Sequence, residues 1–133
     1  ARKAIRVAMS SPSHCSLLAD AARSFSGYLE AVTWRDAQMP VVANVDAKPA
    51  QAAKVLQQNV TRQLSQAVLW EDVILELEKM GVTHLIEVGP GHVLSGFARK
   101  TTRRLKAANV EDLTSLQEVM QWLKEAKGGE MAC

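Results

Sequence analysis

The sequence predicts an α/β fold with a mainly parallel sheet. Three observations carry that expectation: short apolar runs alternate with longer segments of helical period, the run Pro40–Val45 is almost wholly apolar in the manner of a strand buried on both faces, and glycines punctuate the passages between the two kinds of segment.

In order along the chain, Ala4 to Met9 alternates loosely in the period of a strand and stops at Ser10-Ser11-Pro12-Ser13. Ser13 is a candidate cap for a long amphipathic helix with Leu17, Leu18, Ala21, Ala22, Phe25, Tyr28 and Leu29 on one face, Gly27 being its weak point. Residues 32–38 read as a connector and Pro40–Val45 as a buried strand. Pro49 suits the first turn of a helix whose period runs through Ala52, Val55, Leu56 and Val60 to about Leu64. A further helix spans about Trp70 to Met80 and ends at Gly81, His84–Val88 is the next buried strand, and Gly89-Pro90-Gly91 turns it into a helix opening at Val93. Arg99, Lys100, Arg103 and Arg104 gather at that helix's C-terminal end, where its dipole favours cations. Ala107–Val110 is a possible strand. Asp112 or Thr114 caps a last helix with Leu116, Val119, Met120 and Leu123 on one face, and 127–133 is a polar tail. These strands are few for a doubly covered parallel sheet, which usually has about five. Together with a start at Ala1 that runs almost straight into apolar sequence, this suggests a fragment whose upstream part is missing.

The 133 residues are 47% hydrophobic and 23% charged, a globular composition that excludes a disordered tail or a fibre. Sixteen basic and fourteen acidic residues are interspersed, so charge gives no nucleic-acid signal. The apolar runs fall well short of the ~18 to 20 residues of a membrane helix, and no membrane association is expected. Cys15 and Cys133, far apart, read as reduced thiols of a cytoplasmic protein.

His14 stands where a strand gives way to a helix, the edge at which open α/β sheets collect their active sites. Its neighbour Cys15 points away by about 100° if both start a helix, which weakens a thiol–imidazole couple. His14, His84 and His92 lack metal-ligand spacing, so no metal is expected. Gly89-Pro90-Gly91 could aim N–H groups at a phosphate or be a tight turn, and the turn is favoured because no Lys-Ser/Thr follows. No Gly-x-Ser-x-Gly pentapeptide occurs, so the chain holds a base without a serine nucleophile.

Three stretches in order, Val7-Ala-Met-Ser-Ser-Pro-Ser-His-Cys15, Pro40-Val-Val-Ala-Asn-Val-Asp-Ala47 and Glu87-Val-Gly-Pro-Gly-His-Val-Leu-Ser-Gly96, with Arg62-Gln-Leu64 between the last two, resemble the C-terminal portion of the malonyl-CoA:acyl-carrier-protein transacylases. The resemblance runs from about Ala4 to Leu123. It implies the C-terminal part of an α/β-hydrolase-like acyltransferase core (11–126), preceded at 1–10 by the last strand of an inserted ferredoxin-like lobe and followed by the tail. It implies that His14 is the catalytic base, that the main-chain carbonyl of Gln63 orients it, and that Ser13 lines the substrate pocket. The substrates implied are malonyl-CoA and the phosphopantetheine thiol of acyl carrier protein, in fatty acid biosynthesis and without a cofactor. The nucleophilic serine would lie in a missing N-terminal portion of the same enzyme, so the fragment alone is expected to be inactive. The alternatives are an acyltransferase of a polyketide or multifunctional synthase and a non-catalytic fragment that binds the carrier protein. The family usually has proline where this chain has Ala67.

Overall fold

His14 decides where the first helix begins. In the computed structural model, which describes Ala4, Arg6 and residues 10–130 (127–130 without their side chains), its φ is 57°. That left-handed backbone cannot continue into a right-handed helix. Ser13 is therefore not the expected cap. A single 3₁₀ turn, Ser16–Leu18, intervenes, and α1 starts at Ala19 and runs to Glu30 with Gly27 inside it. Of the strand expected over Ala4 to Met9 and the domain assigned to 1–10, only Ala4, Arg6 and Ser10 fall among the described residues, and the rest lies outside them.

The chain forms two compact units, Ala1–Val73 and Ile74–Cys133. In the first, α1 buries Ala22 and Leu29 and packs against α2 (Ala53–Arg62). The Leu29 carbonyl near the end of α1 accepts the Val32 N–H at 3.2 Å and also Trp34 Nε1 at 3.1 Å and Gln57 Nε2 at 3.0 Å, which fixes the connector and α2 against it. The expected buried strand over Pro40–Val45 shrinks to β1, Val41–Val42, which pairs antiparallel with β2, Pro49–Ala50. The cause is a reversal over 43–48: Ala47 takes φ 52° and its N–H donates to the Ala43 carbonyl at 2.9 Å. Pro49 thus sits in a short edge pairing, where its missing N–H does no harm, and not in the first turn of a helix. The helix begins at Ala53, whose N–H donates to Asp36 Oδ1 at 2.8 Å.

In the second unit the expected and observed elements agree closely. Helix α3, Trp70–Lys79, of which Ile74–Lys79 fall in this unit, ends in a Schellman motif: Gly81 has φ 83°, its N–H donates to Glu78 and that of Val82 to Leu77, both at 3.0 Å. Strand β3, His84–Val88, pairs in parallel with β4, Lys106–Val110, from His84↔Lys106 to Val88↔Val110. Helix α4, Val93–Thr101, joins them, and α4 and α5 (Leu113–Glu130) pack on β4. Among the described residues the expected mainly parallel sheet is therefore replaced by one parallel pair and one separate antiparallel pair. Nor is β3 buried on both faces as expected, since Val88 is 81% exposed. Asp112, not Thr114, caps α5: its Oδ1 accepts the Ser115 N–H at 2.8 Å while Ser115 Oγ accepts the Asp112 N–H at 3.0 Å. The backbone stays helical through Glu130, four residues into the expected tail. Ile74, Ala98, Leu105 and Val119 are the buried apolar residues here.

Candidate active site

The left-handed turn that delays α1 also aims the imidazole of His14. Its Nδ1 lies 2.7 Å from the main-chain oxygen of Gln63, forty-nine residues away in sequence. A carbonyl can only accept, so Nδ1 carries the hydrogen and the neutral ring has its lone pair on Nε2. His14 is exposed, and among the described residues Nε2 has no protein partner. The ring is thereby held in the tautomer a general base requires, with the basic nitrogen open to solvent.

Gln63 is the C-cap of α2, and the local fold leaves its carbonyl available. The following N–H groups turn back to earlier acceptors, Leu64 to Thr61 at 3.4 Å and Ser65 to Arg62 at 3.2 Å. The oxygen offered to His14 therefore belongs to the negative end of a ten-residue helix. A positively charged ring at this place would meet a favourable field from that helix end. A cleft of about 390 Å³ adjoins this helix end, walled by β1 and by the α2 face of Leu56, Asn59, Val60 and Gln63.

The other sequence candidates fall elsewhere. Ser13 stands exposed beside His14 with its Oγ 3.2 Å from Ser11 Oγ. The thiol of Cys15 donates to the Pro12 carbonyl at 3.2 Å, which leaves it uncoupled from the imidazole. Ser95 is buried in α4 with its Oγ on the His92 carbonyl. His84 is wedged edge-on against Trp122 at 4.5 Å between ring centres, with Nδ1 2.8 Å from Thr83 Oγ1. No group of side chains able to hold a metal occurs among the described residues.

The glycine loop is a turn, as favoured. Gly89 and Gly91 take φ 140° and 83°, but the donors a phosphate would use are already taken by the chain's own carboxylates. Glu87 accepts from Leu94 N–H at 3.0 Å and Ser95 N–H at 2.8 Å, and Glu111 accepts from Gly91 N–H at 2.7 Å. The Ser95 N–H, with Leu94 and the nearby His92 assisting, holds the Glu87 carboxyl below the ordinary glutamate value.

Residue spacing alone does not single out Arg62, Asn59 and Asp46, which surround the Gln63 turn. The available signal is the helical spacing of Asn59, Arg62 and Gln66, which puts three hydrogen-bonding side chains on one stripe.

Fold and sequence together are similar to part of an acyl-group transferase. The particular relatives are malonyl CoA-acyl carrier protein transacylases: the chain is 36% identical over 122 residues to that of Staphylococcus aureus (strain COL) and 38% identical over 125 residues to that of Bacillus subtilis (strain 168). These alignments cover 92% and 94% of the chain but 39% of each relative, so the chain spans about two fifths of their length. Among solved structures, the transacylase of Clostridium perfringens superposes with a TM-score of 0.87 at 31% identity, over 96% of this chain and 40% of that one. A malonyl-transacylase solved in complex with a type II polyketide synthase acyl-carrier protein superposes at 0.77 with 39% identity, over 83% of this chain and 36% of that one. No protein-family model matches. No helix among the described residues is long and apolar enough to cross a membrane.

Proposed function

We propose that this chain is the histidine-bearing C-terminal part of a malonyl-CoA:acyl-carrier-protein transacylase, with His14 as general base and Gln63 as its main-chain orienter. The observation that carries the reading is the 2.7 Å contact from His14 Nδ1 to the Gln63 carbonyl, which leaves Nε2 free on an exposed loop. The reaction is a double displacement. Nε2 takes the proton of a serine hydroxyl supplied by the N-terminal portion, the serine oxygen bonds to the thioester carbon of malonyl-CoA, and the carbon–sulfur bond breaks. The departing coenzyme A thiolate recovers the proton from His14. In the second half the phosphopantetheine thiol of an acyl carrier protein gives its proton to Nε2, attacks the serine ester and regenerates the hydroxyl. A carbonyl orienter suffices because a thiolate is a good leaving group and asks less of the base than an amine would. Ser13, small and adjacent to the base, lines the acyl pocket.

The carrier protein is acidic in this reading, and the end of α4 offers it a basic surface. Arg99 is engaged by the Ala107 carbonyl at 2.7 Å and Arg104 by Glu78 at 2.7 Å, which leaves Lys100 and Arg103 as the outward cations of the cluster. The setting proposed is the cytoplasm, where Cys15 remains a thiol. A second reading, delivery of the acyl group to a polyketide carrier protein, is favoured by the 39% identity to the transacylase solved with such a carrier.

The test is intact-mass spectrometry of the chain exposed to malonyl-CoA, alone and with the serine-bearing portion. The expected result is no ester on the chain alone, one malonyl ester on the companion, and its transfer to a carrier protein. His14→Ala in the assembled protein should slow transfer about 10²- to 10⁴-fold. An unchanged rate in that variant would overturn the assignment, and a panel of acyl-CoA and carrier-protein pairs separates the two readings.

A further inference from the structure

The carbonyl that orients His14 is itself braced by a side chain the reaction does not touch. Arg62, the last residue of α2, sends Nη1 to Asn59 Oδ1 at 3.2 Å and Nη2 to Gln66 Oε1 at 3.3 Å, while Nη1 also lies 3.6 Å from Asp46 Oδ2. One planar fork thus ties the body of α2, the turn that follows it and the reversal after β1 on either side of Gln63.

The anchors are firm. Asn59 is 3% exposed. Asp46 lies between Val45 and Ala47, 5% and 9% exposed, and its Oδ1 accepts the Lys48 N–H at 3.3 Å. The His14 loop has no comparable support of its own. Its other hydrogen bonds among the described residues are local, linking Ser11, Pro12, Ser13, Cys15 and Leu18 to one another. The imidazole therefore takes its orientation from the Gln63 carbonyl, and that carbonyl takes its place from the turn that Arg62 clamps.

We infer that Arg62, anchored on Asp46, is a positioning residue for His14, acting through the Gln63 main-chain oxygen. The link to rate rests on His14 being the base proposed above; the link to imidazole geometry does not. With 44% of its side chain exposed, Arg62 contributes little to global stability through this ion pair. Its loss should accordingly be visible at the imidazole before it is visible in the melting temperature.

The experiment is ¹⁵N-histidine NMR of the chain at alkaline pH, where imidazoles are neutral and long-range ¹H–¹⁵N correlations report the tautomer. In the wild type His14 should be mainly Nδ1–H. Arg62→Met should cut that fraction about twofold or more by loosening the acceptor, with Arg62→Lys intermediate because an ammonium cannot span the three partners. Asp46→Asn should move it the same way, and decides the matter should Arg62→Met not fold. Arg23→Met, which breaks the exposed Arg23–Asp20 pair in α1, should leave it unchanged. A folded Arg62→Met or Asp46→Asn chain with the wild-type tautomer ratio would overturn the inference. In the assembled transacylase, Arg62→Met should lower kcat about tenfold with little change in KM. If the tautomer shifts while kcat holds, the positioning stands and the base assignment fails.

Discussion

Glu87 reaches from the C-terminal end of β3 to the first turn of α4, where its carboxylate accepts the main-chain N–H of Ser95 at 2.8 Å. The same group takes the Leu94 N–H at 3.0 Å, so one side chain satisfies two of the helix's four orphan donors and places a negative charge at its positive end.

The substitution Glu87→Gln should therefore lower the thermal midpoint of the second unit by roughly 5 °C, the size expected for weakening one cap. The pH dependence has a definite sign. The folded-state value of Glu87 lies below its ordinary one, so the contribution is fully present above the ordinary carboxylate range and is lost as pH falls through the folded-state value. Melting curves of wild type and Glu87→Gln should thus differ most near neutrality and converge in acid, once the pH has fallen through the lowered folded-state value.

Asp112 offers a parallel test at α5. Ser115 holds its carboxyl below the ordinary aspartate value, through the main-chain N–H first and the hydroxyl second. Asp112→Ala should speed amide exchange in the first turn of α5 about tenfold at neutral pH while leaving α4 unaffected. As with Glu87, the wild-type advantage should be present at neutrality and fade under acid.

Gly81→Ala tests the end of α3. Nothing lies within 4 Å of where the new Cβ would stand, so any effect is conformational and comes from φ 83°. A loss of about 1 kcal/mol by urea denaturation is expected, with the transition slope unchanged. A neutral outcome would mean that the Schellman closure at Val82 does not form in solution.

Gln63→Ala separates main chain from side chain at the site. The contact to His14 comes from the backbone oxygen, so the variant should retain the Nδ1–H tautomer of His14 and, in the transacylase proposed above, a near wild-type transfer rate. A shift to the Nε2–H tautomer would place the orienting role on the side-chain amide.

Much of the second unit is legible in the sequence because its signals are local. Gly81, the 84–88 run, the glycine loop and Asp112 each act within a few residues, and the elements they bound are five residues or longer. The first unit resists such reading for identifiable reasons. Strands β1 and β2 are two residues each, too short to show a period, and the reversal between them turns on an alanine with positive φ, a residue type that announces nothing of the kind. His14 hides its conformation in the same way, and its backbone overrides the capping tendency of Ser13. As for the site, composition and spacing supply a histidine at a plausible edge, and only the family resemblance names Gln63 as its neighbour. The His14–Gln63 contact spans forty-nine residues and carries no local signature, and the helical spacing of Asn59 and Arg62 does not by itself mark them as part of a site.

The orienting oxygen at the end of α2 belongs to no side chain. Any residue able to close that helix presents the same acceptor, so the feature depends on the backbone's shape and not on the side chain at 63. A substitution scan along 59–66 would register the clamp and the turn yet pass silently over the atom they serve. Replacing the Gln63–Leu64 amide by an ester, which weakens that oxygen as an acceptor while sparing every side chain, would expose it.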